Sequence, residues 1–155
     1  MSAFRLTVVA FVVGFSASVS AADEDPAGLT GNSFPSRLLE RTWVSKITDE
    51  ALAKSPVWES KNENPPVSAR RAMALSQPVV ERITKDDNAL REWKRRFESA
   101  TLHKTQDGKR WFWRVEYSWL PKMGGLSGLP PYMDIIVLMD GTVVEPQLED
   151  GGIGK

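Results

Sequence analysis

Hydrophobic and polar side chains alternate through the stretch DGKRWFWRVEYSWL. Trp111, Trp113, Val115, Tyr117 and Trp119 fall on one parity, and Arg110, Phe112, Arg114, Glu116 and Ser118 on the other. Successive side chains of a strand point to opposite faces, so this pattern predicts a strand with one aromatic and one mostly polar face. Trp93 to Thr105 precedes it, and the Asp107-Gly108 pair between the two runs is the signal of a hairpin turn. Counting outwards from those two residues sets Leu102 opposite Trp113, Ala100 opposite Val115, Thr101 opposite Arg114 and Ser99 opposite Glu116. In that register the apolar residues of both strands share a face, which a one-residue slip would undo. Trp111 and Trp119, at the two ends of the aromatic stripe, are placed to reach the sheet margin.

A second pattern has the period of a helix. Ser68 stands after Asn64-Pro65-Pro66 as an N-cap, and Ala69, Ala72, Met73, Ser76, Val79, Val80 and Ile83 then follow helical spacing. The helix should run from Ser68 to about Ile83 and kink or restart near Gln77, because Pro78 lacks the backbone donor. Upstream, Leu39, Trp43 and Ile47 recur every four residues as in a helix. RTWVSKIT reads equally as a short strand, with Thr48 or Asp49 capping a new turn at DEALAK. Downstream, MDIIVLMDGTVVEPQ predicts a second hairpin with Asp140-Gly141 as a two-residue turn, Leu138 opposite Val143 and Val137 opposite Val144. Pro146 should end the last strand. Leu120 to Met133 between the hairpins is rich in glycine and proline and predicts a long irregular loop with Leu126, Leu129 and Tyr132 as apolar anchors. The fold class is α+β: one main helix packed on an antiparallel sheet built from two β-hairpins, with an N-terminal helical or mixed extension.

The ends of the chain add location. Arg5, the apolar run from Leu6 to Phe15 and the small residues around Ala21 have the layout of a secretory signal peptide over residues 1–21. The apolar run is well short of the roughly 20 residues that span a bilayer. The chain contains no cysteine, so neither a lipid-bearing thiol nor a disulfide is available. An exported protein, periplasmic or extracellular and without a stable membrane anchor after cleavage, is the expectation. Residues 22–36 read as a flexible lead-in, 37–148 as one domain and 149–155 as a disordered tail. The 20 basic and 20 acidic side chains balance, which removes the electrostatic footprint of a nucleic-acid binder.

Candidate chemistry is sparse. His103 is the only histidine, so neither a nucleophile–base pair nor a zinc set can be assembled from His and Cys. Asp107 and Asp140 are used by turns, Asp86 and Asp87 look like caps, and Glu145, Glu149 and Asp150 lack calcium-loop spacing. GGLSG lacks the phosphate-cradle pattern and precedes a strand rather than a helix. No catalytic, cofactor or metal residue is assigned. The contact candidates are Arg110, Phe112 and Arg114 on the face of the central strand opposite the aromatic one, and Leu126, Leu129 and Tyr132 in the loop.

PPVSARRAMALS, from Pro65 to Ser76, resembles the opening of a PepSY-type domain, in which a proline–serine cap precedes an alanine-rich helix. WFWRVEY and DIIVLMDGTVVEP resemble the strands that follow, so the resemblance spans roughly Pro65 to Pro146. It implies a helix on an antiparallel sheet, an exported setting, binding without catalytic residues, and restraint of a peptidase as one use. Two functions stand open. One is a non-enzymatic module that contacts a protein or peptide through the Gly/Pro loop or by strand addition at a sheet edge. The other is a small-molecule-binding or hydrolytic domain with a pocket between helix and sheet.

Overall fold

The structure, a computed structural model, describes residues 33–149 except residues 60, 63 and 107. The expected signal peptide, residues 22–32 of the expected lead-in and residues 150–155 of the expected tail lie outside the described residues. The fold is α+β, with one main helix on an antiparallel sheet. Strands β1 (Ser33–Leu38) and β2 (Arg41–Lys46) lead to a short helix α1 (Asp49–Lys54) and the main helix α2 (Ala69–Thr84). A 3-10 turn at Asn88–Leu90 precedes β3 (Trp93–Lys104), β4 (Trp111–Pro121), β5 (Tyr132–Leu138), β6 (Val143–Val144) and β7 (Gln147–Glu149). They build two sheets, β3-β4-β5-β6 and β1-β2-β7.

The N-terminal segment takes the strand alternative. Thr48 accepts a hydrogen bond from the Ala51 amide and starts α1, so helix begins only where the cap permits. Residues 33–36, expected in the flexible lead-in, are paired in β1 opposite β2. Gln147 to Glu149, beyond the proline expected to end the last strand, pair with β2 as β7.

Helix α2 is capped as the sequence predicts, with Ser68 Oγ accepting from the Arg71 amide. It does not restart at Pro78. Ala72, Ser76 and Val80 are buried, whereas Pro78 and Ala74 are exposed, so the carbonyl that loses its donor lies on the solvent side. The buried stripe lies over Trp113, Val115, Tyr117, Ile135 and Val137. Two polar contacts fix the helix on that surface. Trp113 Nε1 donates to the Val67 carbonyl at 2.7 Å, just before the cap. Ser76 Oγ lies 2.9 Å from the Met73 carbonyl and 2.8 Å from the Tyr117 hydroxyl. Its one proton serves the carbonyl, so Tyr117 donates to Ser76.

The β3–β4 register is the one read from the turn, including Leu102 opposite Trp113 and Ser99 opposite Glu116. Past Ser99 it shifts by one at Glu98, a β-bulge. The last hairpin is one residue off its expected register: Val137 opposes Val143, and Ile136 opposes Val144. Leu138 donates its amide to the Thr142 carbonyl, so the loop is Met139-Asp140-Gly141, closed by Gly141 at φ 88°. A three-residue loop with its last residue left-handed is the next common hairpin after the two-residue one. The slip buries Met139.

The polar face of β4 is covered. Phe112, Ile136 and Leu138 pack against Ile47, Phe34, Ala51 and Leu52 of the N-terminal segment, so both faces of the main sheet are occupied. Trp119 is 3% exposed and belongs to the core, while half-buried Trp111 packs edge-on against Trp58 at 5.2 Å.

Trp113→Ala is expected to lower unfolding free energy in urea by about 3–5 kcal/mol, the range for deleting a buried aromatic side chain. Trp113→Phe, which keeps the ring but leaves the Val67 carbonyl unpaired, should lose about 1–3 kcal/mol. Equal losses for the two would mean that the indole hydrogen bond, not packing, carries the site.

Candidate functional site

The six contact candidates do not form one patch. Arg110 donates from Nη1 to the Ser55 carbonyl at 2.5 Å and ties the start of β4 to the end of α1. Phe112 is 3% exposed, in edge contact with Phe34 and stacked on His103. Arg114 is ion-paired with Asp134 at 2.7 Å. Arg110 and Phe112 tie the main sheet to the N-terminal layer, and Arg114 pairs within the main sheet, across β4 and β5. Their alternation marked them as outward residues, and the hairpin that covers them was the segment with an undecided reading.

Leu126, Leu129 and Tyr132 do come together. With Arg37, Leu39 and Trp93 they line a concavity of about 580 Å³. One wall is the turn between β1 and β2; the other is the loop from residue 122 to residue 131. The base of that loop is pinned: Trp119 donates its amide to the Pro131 carbonyl, and Lys122 donates its amide to the Glu92 carbonyl at 2.8 Å. Beyond the base the loop carries apolar side chains in the open, with Leu129 92% and Met123 87% exposed. Leu39 occupies the first of the two turn residues with φ 56°, a position where glycine is usual. A left-handed leucine costs about 1–2 kcal/mol, so the fold holds its side chain here against local preference.

Two further concavities adjoin the first. Leu39 also lines one of about 450 Å³ with Leu38, Arg41 and Asp87. Trp93 also lines one of about 510 Å³ with Lys85, Arg91, Arg95 and Lys122. Leu39, Trp93 and Asp87 are the shared walls, so all three lie at one end of the molecule. The sequence signal for this end was the Gly/Pro loop; the contribution of Leu39 and Trp93 depends on strand pairings that no local pattern announces.

A polar cluster lies elsewhere, between the layers. Asp134 is 1% exposed; its amide donates to Ser36 Oγ at 2.8 Å, and Ser45 Oγ donates to its carbonyl at 3.4 Å. Its Oδ1 has no hydrogen-bond partner, and Glu116 faces it directly across the strands. Burial pushes the Asp134 carboxyl above the ordinary range; the hydrogen bond and charge of Arg114, then the charge of His103, pull it back only in part. Glu116 is also raised, first by burial and then by the charge of Asp134, with Glu98 adding to the rise and Arg114 opposing it. Glu98 itself is lowered by its hydrogen bonds from Arg96 and Ser118. Among the described residues no group of three or more His, Cys, Asp or Glu is placed to hold a metal ion.

Comparison with protein-family models, with curated proteins and with solved structures finds no match to this chain.

A carboxyl that titrates higher folded than unfolded binds more protons in the folded state between those two values. Stability therefore falls as pH rises through that window. Asp134 and Glu116 act in this sense above about pH 4, the unfolded range. Glu81 and Glu145, lowered by hydrogen bonds to Gln77 and Arg95 and to Arg82, act oppositely and below that range, as does Glu98. The urea midpoint is expected to rise as the pH falls from neutral toward the unfolded carboxylate range near about 4, and to fall below that range. Glu116→Gln should flatten the upper limb and leave the lower one. An unchanged upper limb in that variant would remove Glu116 from the account.

Proposed function

We propose that the protein is a non-enzymatic binding module that holds a segment of a protein or peptide in the groove between the β1–β2 turn and the 122–131 loop. The observation that carries this reading is the apolar loop held open above a half-buried tryptophan. Soluble proteins rarely leave adjoining apolar side chains in water unless another surface covers them. Leu126, Leu129, Pro130 and Tyr132 offer side-chain contacts, and the pinned base of the loop limits the ordering that binding would demand. The resemblance to PepSY-type domains supports the same class of activity, with a peptidase as one form of partner. An exported setting, expected from the N-terminal pattern, is part of the proposal.

Strand addition is the weaker route. Strand β3 has an edge with no partner among the described residues, and 12 residues is long enough to template a new strand. However, the edge is bulged at Glu98 and carries Lys94, Arg96 and Lys104. Bulges and edge charges are devices that prevent pairing.

A photo-crosslinking residue at position 129 is expected to capture one stoichiometric protein from the exported fraction of the source cells. The same residue at position 97, on β3, should capture none. Capture only from position 97 would move the site to the edge; capture from neither would end the binding-module reading. Leu39→Gly should change stability by less than about 1 kcal/mol, because relief of the left-handed strain offsets lost apolar contact. It should still reduce capture at position 129, because that wall of the groove is gone.

A further inference from the structure

The concavity on the far side of Trp93 is basic. Lys85, Arg91, Arg95 and Lys122 line it against one acid, Asp87. Asp87 already meets Arg41 at 3.3 Å, and Arg95 meets Glu81 at 3.1 Å while lying over the Tyr117 ring. Lys122 donates to the Arg91 backbone carbonyl at 2.6 Å, which leaves its charge uncompensated. Among the described residues, Lys85, Arg91 and Lys122 have no carboxylate within ion-pair distance. Three cations thus converge on one concavity of a chain whose basic and acidic side chains balance overall. The C-terminus of α2, at Thr84, opposes them with about half a negative charge, too little to cancel three. Clefts lined by one sign of charge focus the field and raise the local concentration of the opposite ion.

We infer that this basic concavity receives an anionic group of the same segment whose apolar side chains lie in the loop groove. The partner is therefore a peptide or protein segment in which a carboxylate, from Asp, Glu or a free C-terminus, stands next to apolar residues. This inference rests on the binding-module reading and narrows it. Trp93 is its hinge. Trp93 lines both concavities, so one extended chain crossing it presents consecutive groups to the two. The carboxylate meets Lys85, Arg91 and Lys122, and the apolar side chain meets Leu39, Leu126 and Tyr132. A lipid surface is the other occupant with mixed apolar and anionic character. The loop groove is the more enclosed of the two and the basic concavity is shallow, and both include Trp93, so one short chain with an apolar side chain next to a carboxylate reaches both linings.

The test is selection of a random-peptide phage library on the purified full chain at low salt, followed by titration of the winning peptide. A consensus that joins apolar residues to Asp, Glu or a free C-terminus is expected. Its affinity should fall at least about tenfold in Lys85→Glu/Arg91→Glu, with only a small fall in melting temperature, because both side chains are exposed and the one new acid at the C-terminus of α2 is solvated. Leu129→Ser should also weaken it, without altering its dependence on salt. An apolar consensus that needs no acid and is indifferent to the charge-reversed variant would overturn the anionic inference while leaving the binding module standing. No enriched peptide would overturn both. Binding to phosphatidylglycerol vesicles in place of any peptide would also overturn the inference and assign the end to a membrane surface.

Discussion

Pro146 lacks the amide that would carry the β5–β6 ladder one step further, and much of the assembly depends on that interruption. In the observed register, residue 146 would stand opposite Asp134. Asp134 shares the parity of Leu138, whose amide donates across this hairpin, so its backbone polar groups point toward the missing pairing. They are buried and need partners. Ser36 of β1 accepts from the amide, and Ser45 of β2 donates to the carbonyl. The chain, released from β5 at the proline, runs on as β7 and pairs with β2. The break in one ladder is thus where the second sheet is stitched to the first. Asp134 is thereby buried at the seam, the β4–β5 register sets it opposite Glu116, and Arg114, also on β4, supplies its counter-charge from within the same sheet.

What was legible in the sequence was whatever a local pattern determines. Ser68 announced α2 by its cap chemistry, and the Asp-Gly turn with matching parity announced the β3–β4 register. The β5–β6 register was off by one because a two-residue and a three-residue loop use the same Asp-Gly pair; Gly141 chooses between them through the pairing of Leu138 with Thr142. Leu39, Trp43 and Ile47 have helical spacing, yet Trp43 packs toward the helix-side core and Ile47 toward the other layer. A spacing of four satisfies both a helix face and alternate positions of an extended chain, so pairing decides. Phe112 and Arg114 looked outward because Ser36 and Ser45 give no sign, in one dimension, that they are buried lids. For the candidate site, composition pointed to Leu126, Leu129 and Tyr132. Leu39, Trp93 and the cations around it are dispersed over more than 80 positions, and only the folded chain gathers them.

The features that folding does not require collect at one end. A left-handed leucine opposes stability there. So do cations without carboxylates and an apolar loop in water. Each is unfavourable by itself, and each would be relieved by an occupant with a matching apolar side chain or negative charge. The opposite treatment of the β3 edge sharpens the contrast. That edge is the most obvious surface for association, yet it is bulged and charged, so contact there is discouraged. On the proposed function, the two exposed surfaces serve opposite ends, one repelling a strand and the other receiving a segment. A docking surface needs this division, because a module that binds through a groove must not also polymerise through its sheet.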